Sequence, residues 1–248
     1  MSDPFRIDGK RALVTGANTG IGQAIALGLA ERGAHVIAAG RRSCDETVAA
    51  ITELGGNGEE LVLDLADPAE GAKIVGGIED LDILVNNAGI IRREDSVSHS
   101  EADWDAVMDV NLKAVFLLCQ AFAKNAMARG QGGRIINIAS LLSFQGGIRV
   151  PGYTASKHGV AGLTKIFANE WAVDSINVNA IAPGYIATNN TAALRADETR
   201  NRQILERIPA GRWGDPFDIA GTAAFLASPA AGYITGAIIN VDGGWLAR

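Results

Sequence analysis

Short apolar runs alternate along the chain with longer stretches whose apolar residues recur at helical spacing. Residues 11–15 (RALVT), 35–39 (HVIAA), 60–63, 81–86 (LDILVN), 134–140 (RIINIAS), 176–182 (INVNAIA) and 237–241 predict seven strands. Helices are predicted over 21–32, 46–54, 68 to about 78, 101–129, 153–174 and 218–227. Gly33 is placed to end the first helix, Gly55-Gly56 the second, and the glycines of 130–133 the fourth. The strands are continuously apolar rather than alternating, so both faces of their sheet must be covered. A β-α rhythm over the whole length therefore predicts an α/β fold, a doubly wound parallel seven-stranded sheet with helices on both faces. No linker or charge block divides residues 1–248, which reads as one domain. The polar segment 185–216 breaks the rhythm and is expected to form a lid over a substrate.

Composition narrows the chemistry. Glycine accounts for 30 of 248 residues, about 12% against an average near ~7%. Many backbone positions must therefore turn tightly or approach something closely. The net charge of -6 argues against nucleic acid as a main partner, since phosphate neutralisation needs a basic face. Cys44 and Cys119 lie far apart, have no metal-ligand spacing and suit a reducing compartment. No metal site is expected. The first ten residues are polar without a signal-peptide core, and no run of ~18 uncharged apolar residues exists. The expectation is a cytoplasmic protein with no membrane partner.

The densest signal follows the first strand. Thr15-Gly16-Ala17-Asn18-Thr19-Gly20-Ile21-Gly22 opens a helix with the spacing G-x-x-x-G-x-G. This is a relative of the dinucleotide fingerprint rather than a copy. The physical need is shared: a pyrophosphate must sit against backbone N–H groups at a helix N-terminus, where a side chain would hold it away. With Asn86-Asn87-Ala88-Gly89, Ser140, Tyr153-Thr154-Ala155-Ser156-Lys157 and Pro183-Gly184, this turn resembles the classical short-chain dehydrogenase/reductase family over essentially the whole chain. The segments SFQGGIRVP, APGYIATNNT, LRAD and RIPAGRWGDP are similar to its sugar-acid branch. That branch comprises 2-deoxy-gluconate 3-dehydrogenases, 2-dehydro-3-deoxy-gluconate 5-dehydrogenases and gluconate 5-dehydrogenases.

The end of the second strand bears on the cofactor. It reads Ala39-Gly40-Arg41-Arg42, with no carboxylate for the ribose 2′-OH of NAD. An arginine fork suits a 2′-phosphate, so NADP is preferred, with Arg41 as the main contact, Arg42 as the second, and NAD possible. Asp64 follows the third strand; the resemblance puts it on the adenine ring, and capping the next helix is an equal alternative. Small residues at Asn87, Ala88 and Gly89 let the nucleotide lie close to the sheet edge. The resemblance also implies cofactor contacts from Asn18, Thr19, Ile21, Leu65, Pro183, Gly184, Ile186 and Thr188.

Tyr153 and Lys157 stand four apart and share one helical face. A tyrosine with a pKa near ~10 is a poor base at neutral pH, and a nearby ammonium favours its phenolate. The resemblance implies that Tyr153 exchanges the proton of the substrate hydroxyl. It implies that Lys157 lowers the tyrosine's pKa and holds the nicotinamide ribose, and that Ser140 bonds the substrate oxygen. Asn111 matches the family's fourth catalytic residue, which holds a water in a proton relay; a buried helix-bending asparagine is the alternative. The reaction implied is reversible oxidation of a secondary alcohol, with the hydride carried by the cofactor.

The segment 141–151 joins Ser140 to Tyr153 and is expected to line the pocket with Gln145 and Arg149. Arg92 and Arg93, with Tyr185 and Asn189 from the start of the lid, are the other candidate substrate contacts. Amides, hydroxyls and arginines suit a polyhydroxylated carboxylate better than a steroid or a long acyl chain. A 3-oxoacyl-carrier-protein reductase is the enzyme alternative, and a non-catalytic nucleotide-sensing protein the alternative of another class. Apolar residues on more than one face of helices 101–129 and 153–174 (Phe116, Leu117, Phe122, Phe167, Trp171) fit the homotetramer that the resemblance implies. The tail, through Trp245, is expected to meet its copy across a second axis.

Overall fold

The computed structural model describes residues 3–248; Met1 and Ser2, the start of the polar N-terminal stretch, lie outside them. All seven expected strands form and join one sheet. They are β1 (Arg11–Thr15), β2 (His35–Gly40), β3 (Asn57–Val62), β4 (Ile83–Asn86), β5 (Gly133–Ile138), β6 (Ile176–Pro183) and β7 (Ile238–Val241). Their order is β3-β2-β1-β4-β5-β6-β7 and every pairing is parallel. The order reverses between β1 and β4, which opens a crevice at their carboxyl ends.

Helices α1 (Gly20–Glu31), α2 (Asp45–Glu53) and α9 (Pro216–Ala227) contribute to one apolar core, with Ile25, Leu29, Ile51 and Ile219 against Val14, Val36 and Val85. Helices α3 (Pro68–Gly76), α5 (Ala114–Arg129) and α6 (Pro151–Trp171) build the other, with Leu118, Phe122 and Phe167 against Leu13, Leu84 and Ile135. α4 (Glu101–Met108), α7 (Ala192–Ala196) and α8 (Glu198–Arg207) complete the set. Glu101–Arg129 is continuous, 29 residues long, with a mean hydropathy of 1.5 over one 18-residue window. Length and composition would pass it as a membrane span, but Val115, Leu118 and Phe122 are buried against the sheet.

Three differences from the sequence reading have physical causes. β3 begins at Asn57 rather than residue 60, because residues 57–62 pair with all of β2 at the sheet edge. Its polar residues are tolerated there because an edge strand is partly solvated. The stretch 101–129 holds a π turn at Asp109–Lys113, a feature with no sequence signature. Trp245 is buried within its own chain, 4% exposed, so its side chain is not free to meet a second copy.

Candidate active site

The crevice between β1 and β4 widens into a cleft of about 700 Å³, within the ~300–1,000 Å³ of small-molecule sites. Every residue assigned from the sequence to the cofactor lines it, from Gly16 to Thr188. The two strand ends are stapled at the switch point. Thr15 Oγ1 accepts from the backbone N–H groups of Asn87 and Ala88, both at 3.0 Å, and Asn87 Nδ2 donates to the Thr15 carbonyl at 2.9 Å.

The glycine turn is built for close approach. A Cβ on Gly22 would lie 2.2 Å from the Gly16 carbonyl oxygen and 2.4 Å from Asn87 Nδ2. Gly16 has φ +66°, in the left-handed region that favours glycine. Thr47, wholly buried, donates to the Ala17 carbonyl at 2.8 Å and holds the turn from below. α1 starts at Gly20 with no side-chain cap from Thr19 and no acidic residue in its first turn. Its first N–H groups are therefore left for an anion.

At the adenosine end, Arg41 and Arg42 are exposed, line the cleft, and have no ion-pair partner among the described residues. Asp64 also lines the cleft. Its carboxylate accepts from the Ala66 N–H at 2.9 Å, while the cap of α3 is Asp67, which accepts from Ala69 and Glu70. The capping alternative for Asp64 is thus corrected.

At the other end, Ser140, Tyr153 and Lys157 converge. Ser140 leaves β5 in extended backbone, its Oγ accepting from the Leu142 N–H at 3.1 Å. Tyr153 lies in the first turn of α6, which starts at Pro151 rather than at Tyr153 because proline suits a first helical position. The Lys157 ammonium stands 5.5 Å from the tyrosine ring centroid and donates to the Ile138 carbonyl. Burial pushes the phenol's pKa up, opposed by the Ser140 hydroxyl and then by the charge of Arg93. Burial also pulls Lys157 down to about 8. Desolvation is thus the largest influence on both groups.

Asn111 is 1% exposed, sits in the π turn and does not line the cleft. Its Oδ1 accepts from the Ile90 N–H at 2.8 Å, and its Nδ2 donates to the Ile90 carbonyl at 2.9 Å and to Ser156 Oγ at 3.4 Å. The amide fixes the chain after Gly89, which fits the alternative of a buried asparagine at a helix distortion.

The substrate candidates divide. Arg92 and Asn189 line the same cleft as Ser140 and Tyr153, and Arg92 pairs with Asp103 at 3.1 Å. Arg149 does not line it. Its guanidinium pairs with Glu94 and Asp95 at 3.7 and 3.2 Å, and its backbone is left-handed at φ +63°. Gln145 points away, its carbonyl taken by Arg207 and Trp245. Tyr185 packs edge-on against Trp213 behind the cleft. Arg93 is exposed and acts on Tyr153 by charge alone. Sequence reasoning missed Asp109 and Val110, which line the cleft only because the π turn sets them there.

The family profile described as enoyl-(acyl carrier protein) reductase matches residues 16–246. The chain belongs to the short-chain dehydrogenase/reductase family. As a member it is an NAD(P)-dependent oxidoreductase. A 2-dehydro-3-deoxy-D-gluconate 5-dehydrogenase of Escherichia coli K12 is 56% identical over 98% of each chain. The structure of a putative 2-deoxy-D-gluconate 3-dehydrogenase from Agrobacterium tumefaciens, with bound NADP, is 67% identical over all of both chains with a TM-score of 0.98. That of a putative NAD(P)-dependent gluconate 5-dehydrogenase from Beutenbergia cavernae, also with NADP, is 50% identical with a TM-score of 0.95, covering 99% of this chain and 100% of that one.

Proposed function

We propose that this dehydrogenase interconverts a secondary alcohol and a ketone on a gluconate-type sugar acid, with NADP preferred over NAD. The observation that carries it is the cleft itself: Ser140, Tyr153 and Lys157 line it together with Arg92 and Asn189, and so do Arg41 and Arg42, which have no ion-pair partner among the described residues. The names of the relatives point the same way.

The cofactor would lie with its pyrophosphate on the Gly16–Gly22 turn, and it supplies hydride transfer when bound. The chain's own residues do the rest. Ser140 orients the substrate oxygen, and Tyr153 takes its proton in oxidation or returns it in reduction. Lys157, charged below about 8, favours the phenolate and would hold the nicotinamide ribose. Arg92 holds the substrate carboxylate, exchanging Asp103 for it. Segment 185–216 acts as the lid.

A panel of aldonates, ketoaldonates and neutral polyols, each run with NADPH or NADP and with NADH or NAD, tests both halves. Activity confined to neutral polyols removes the carboxylate argument. A charged hydrogen bond contributes about 1.5–3 kcal/mol, so Arg41→Ala should lower kcat/KM for NADPH by roughly 10- to 150-fold and leave NADH nearly unchanged. Equal losses with both cofactors reject Arg41 as the 2′-phosphate contact.

The protein is further proposed to be cytoplasmic, in keeping with two free buried cysteines, and homotetrameric. Phe122 and Phe167 are buried by their own chain, but Phe116 and Ile166 stay 38% and 46% exposed on α5 and α6. That leaves an apolar strip which a second copy would cover. A monomer in light scattering refutes the assembly.

A further inference from the structure

Two features stand outside the reading above, the Gly243-Gly244 pair and the inward-bonded Gln145. Gly243 and Gly244 have φ of +63° and +88°. A Cβ on them would press Ile208 at 2.9 Å and Pro209 at 3.0 Å. The Ala210 N–H donates to the Gly243 carbonyl at 3.0 Å. The chain after β7 is thus pressed onto the end of α8, and only glycine permits it.

The turn that follows, Trp245–Ala247, inserts Trp245 into a small apolar cluster separate from the two sheet cores. Ile204 and Ile208 come from the lid, and Leu141 from the loop after Ser140. The Arg207 guanidinium stacks over the indole at 3.9 Å. The indole Nε1–H and Arg207 Nη2 both donate to Gln145 Oε1, each at 3.4 Å. One indole therefore touches the lid and the loop that joins Ser140 to Tyr153.

The lid's other attachment is its neck. Ile186 and Gly214 form a parallel bridge, with Ala187 N–H donating to the Gly214 carbonyl at 2.8 Å and Gly214 N–H to the Tyr185 carbonyl at 2.9 Å. The two ends of the lid are held there, and the body of α8 rests on Trp245. Neither Trp245, Arg207 nor Gln145 lines the cofactor cleft.

We infer that Trp245 is a positioning residue for the substrate half of the site: it ties lid helix α8 to the 141–150 loop through Arg207 and Gln145. The inference rests on the reading that lid and loop flank the substrate. It predicts that loosening the contact separates substrate binding from cofactor binding. Trp245→Ala should raise KM for the sugar acid by about tenfold to 10²-fold, the scale of a misplaced binding group, with a smaller change in kcat. The NADPH dissociation constant should stay unchanged. Trypsin should cut after Arg200 and Arg202 faster in the NADP-bound protein. Trp245→Phe keeps the stacked ring without its N–H and should recover most of the protease resistance. Arg207→Gln, on the exposed side of the stack, should repeat the KM effect if Trp245→Ala does not fold.

Wild-type KM and wild-type tryptic rates in Trp245→Ala, or in Arg207→Gln where the first does not fold, overturn the inference. So does a parallel loss of NADPH affinity and thermal stability, which marks a general packing role. If the unmodified protein turns over no sugar acid, the substrate reading fails, and the tryptic rates with NADP bound still decide whether the latch exists.

Discussion

Tyr153→Phe should cut turnover by on the order of 10²–10⁴-fold, the usual contribution of a positioned proton donor or acceptor, while NADPH binds nearly as before. The substitution removes one hydroxyl from a half-buried ring whose pKa the Ser140 hydroxyl lowers. Phenylalanine fills the same space on α6, so little else changes. Single-turnover hydride transfer at 340 nm, beside a cofactor titration by fluorescence, separates the two quantities. Retained turnover rejects Tyr153 as the proton carrier. The direction of the pKa shifts adds a pH signature. Burial raises the tyrosine and lowers Lys157 to about 8, so oxidation should gain as pH rises toward 8 and lose support once the ammonium deprotonates.

The second large effect is expected at Gly22. An alanine there cannot be accommodated without moving the Gly16 carbonyl or Asn87, since its Cβ would stand 2.2 and 2.4 Å from them. Asn87 Nδ2 already bonds the Thr15 and Gly16 carbonyls. Displacing it opens the staple that closes the end of β1 on β4. Overpacking of this kind costs about 1–3 kcal/mol, or roughly 2–12 °C in Tm for a chain of this size. Cofactor affinity should fall with it, by tenfold or more on the scale of ~1.4 kcal/mol per decade. Gly221→Ala is the control. It lies in α9 with open space around its Cβ, so alanine should be neutral or stabilising by up to ~1 kcal/mol. A Gly22→Ala protein with wild-type Tm and wild-type NADPH affinity would refute this account of the turn.

The two predictions describe one site from opposite ends, the glycine turn acting through backbone approach and Tyr153 through a single proton. Between them, Thr15 and Asn87 lock the strand ends and Asn111 locks Ile90. The cofactor half is therefore cross-tied by side-chain bonds to the main chain. The substrate half hangs on weaker ties: a lid neck, a stacked arginine and one indole. That division suits an enzyme that holds its cofactor in a fixed cradle and admits its second substrate by movement of the lid.

Much of this was legible in the residues alone. Continuous apolar strands between helical patterns determined the doubly wound sheet, because only a sheet covered on both faces calls for them. The spacing of Gly16, Gly20 and Gly22 after a strand determined where a pyrophosphate can sit. Tyr153 and Lys157 determined each other through the pitch of a helix. These are local rules, and local rules survive without knowledge of the fold. The tertiary structure alone decided the rest. Gln145 and Arg149 sit in the loop between two active-site residues, yet they face Trp245 and an acidic pair, because loop direction depends on partners distant in sequence. Asn111 lies in a π turn, invisible in sequence, with its amide bonded to the Ile90 main chain. The Gly243-Gly244 pair, unreadable beyond a turn, took its meaning only when Ile208 and Pro209 were found against it: close approach is a property of two segments, and a sequence shows one at a time.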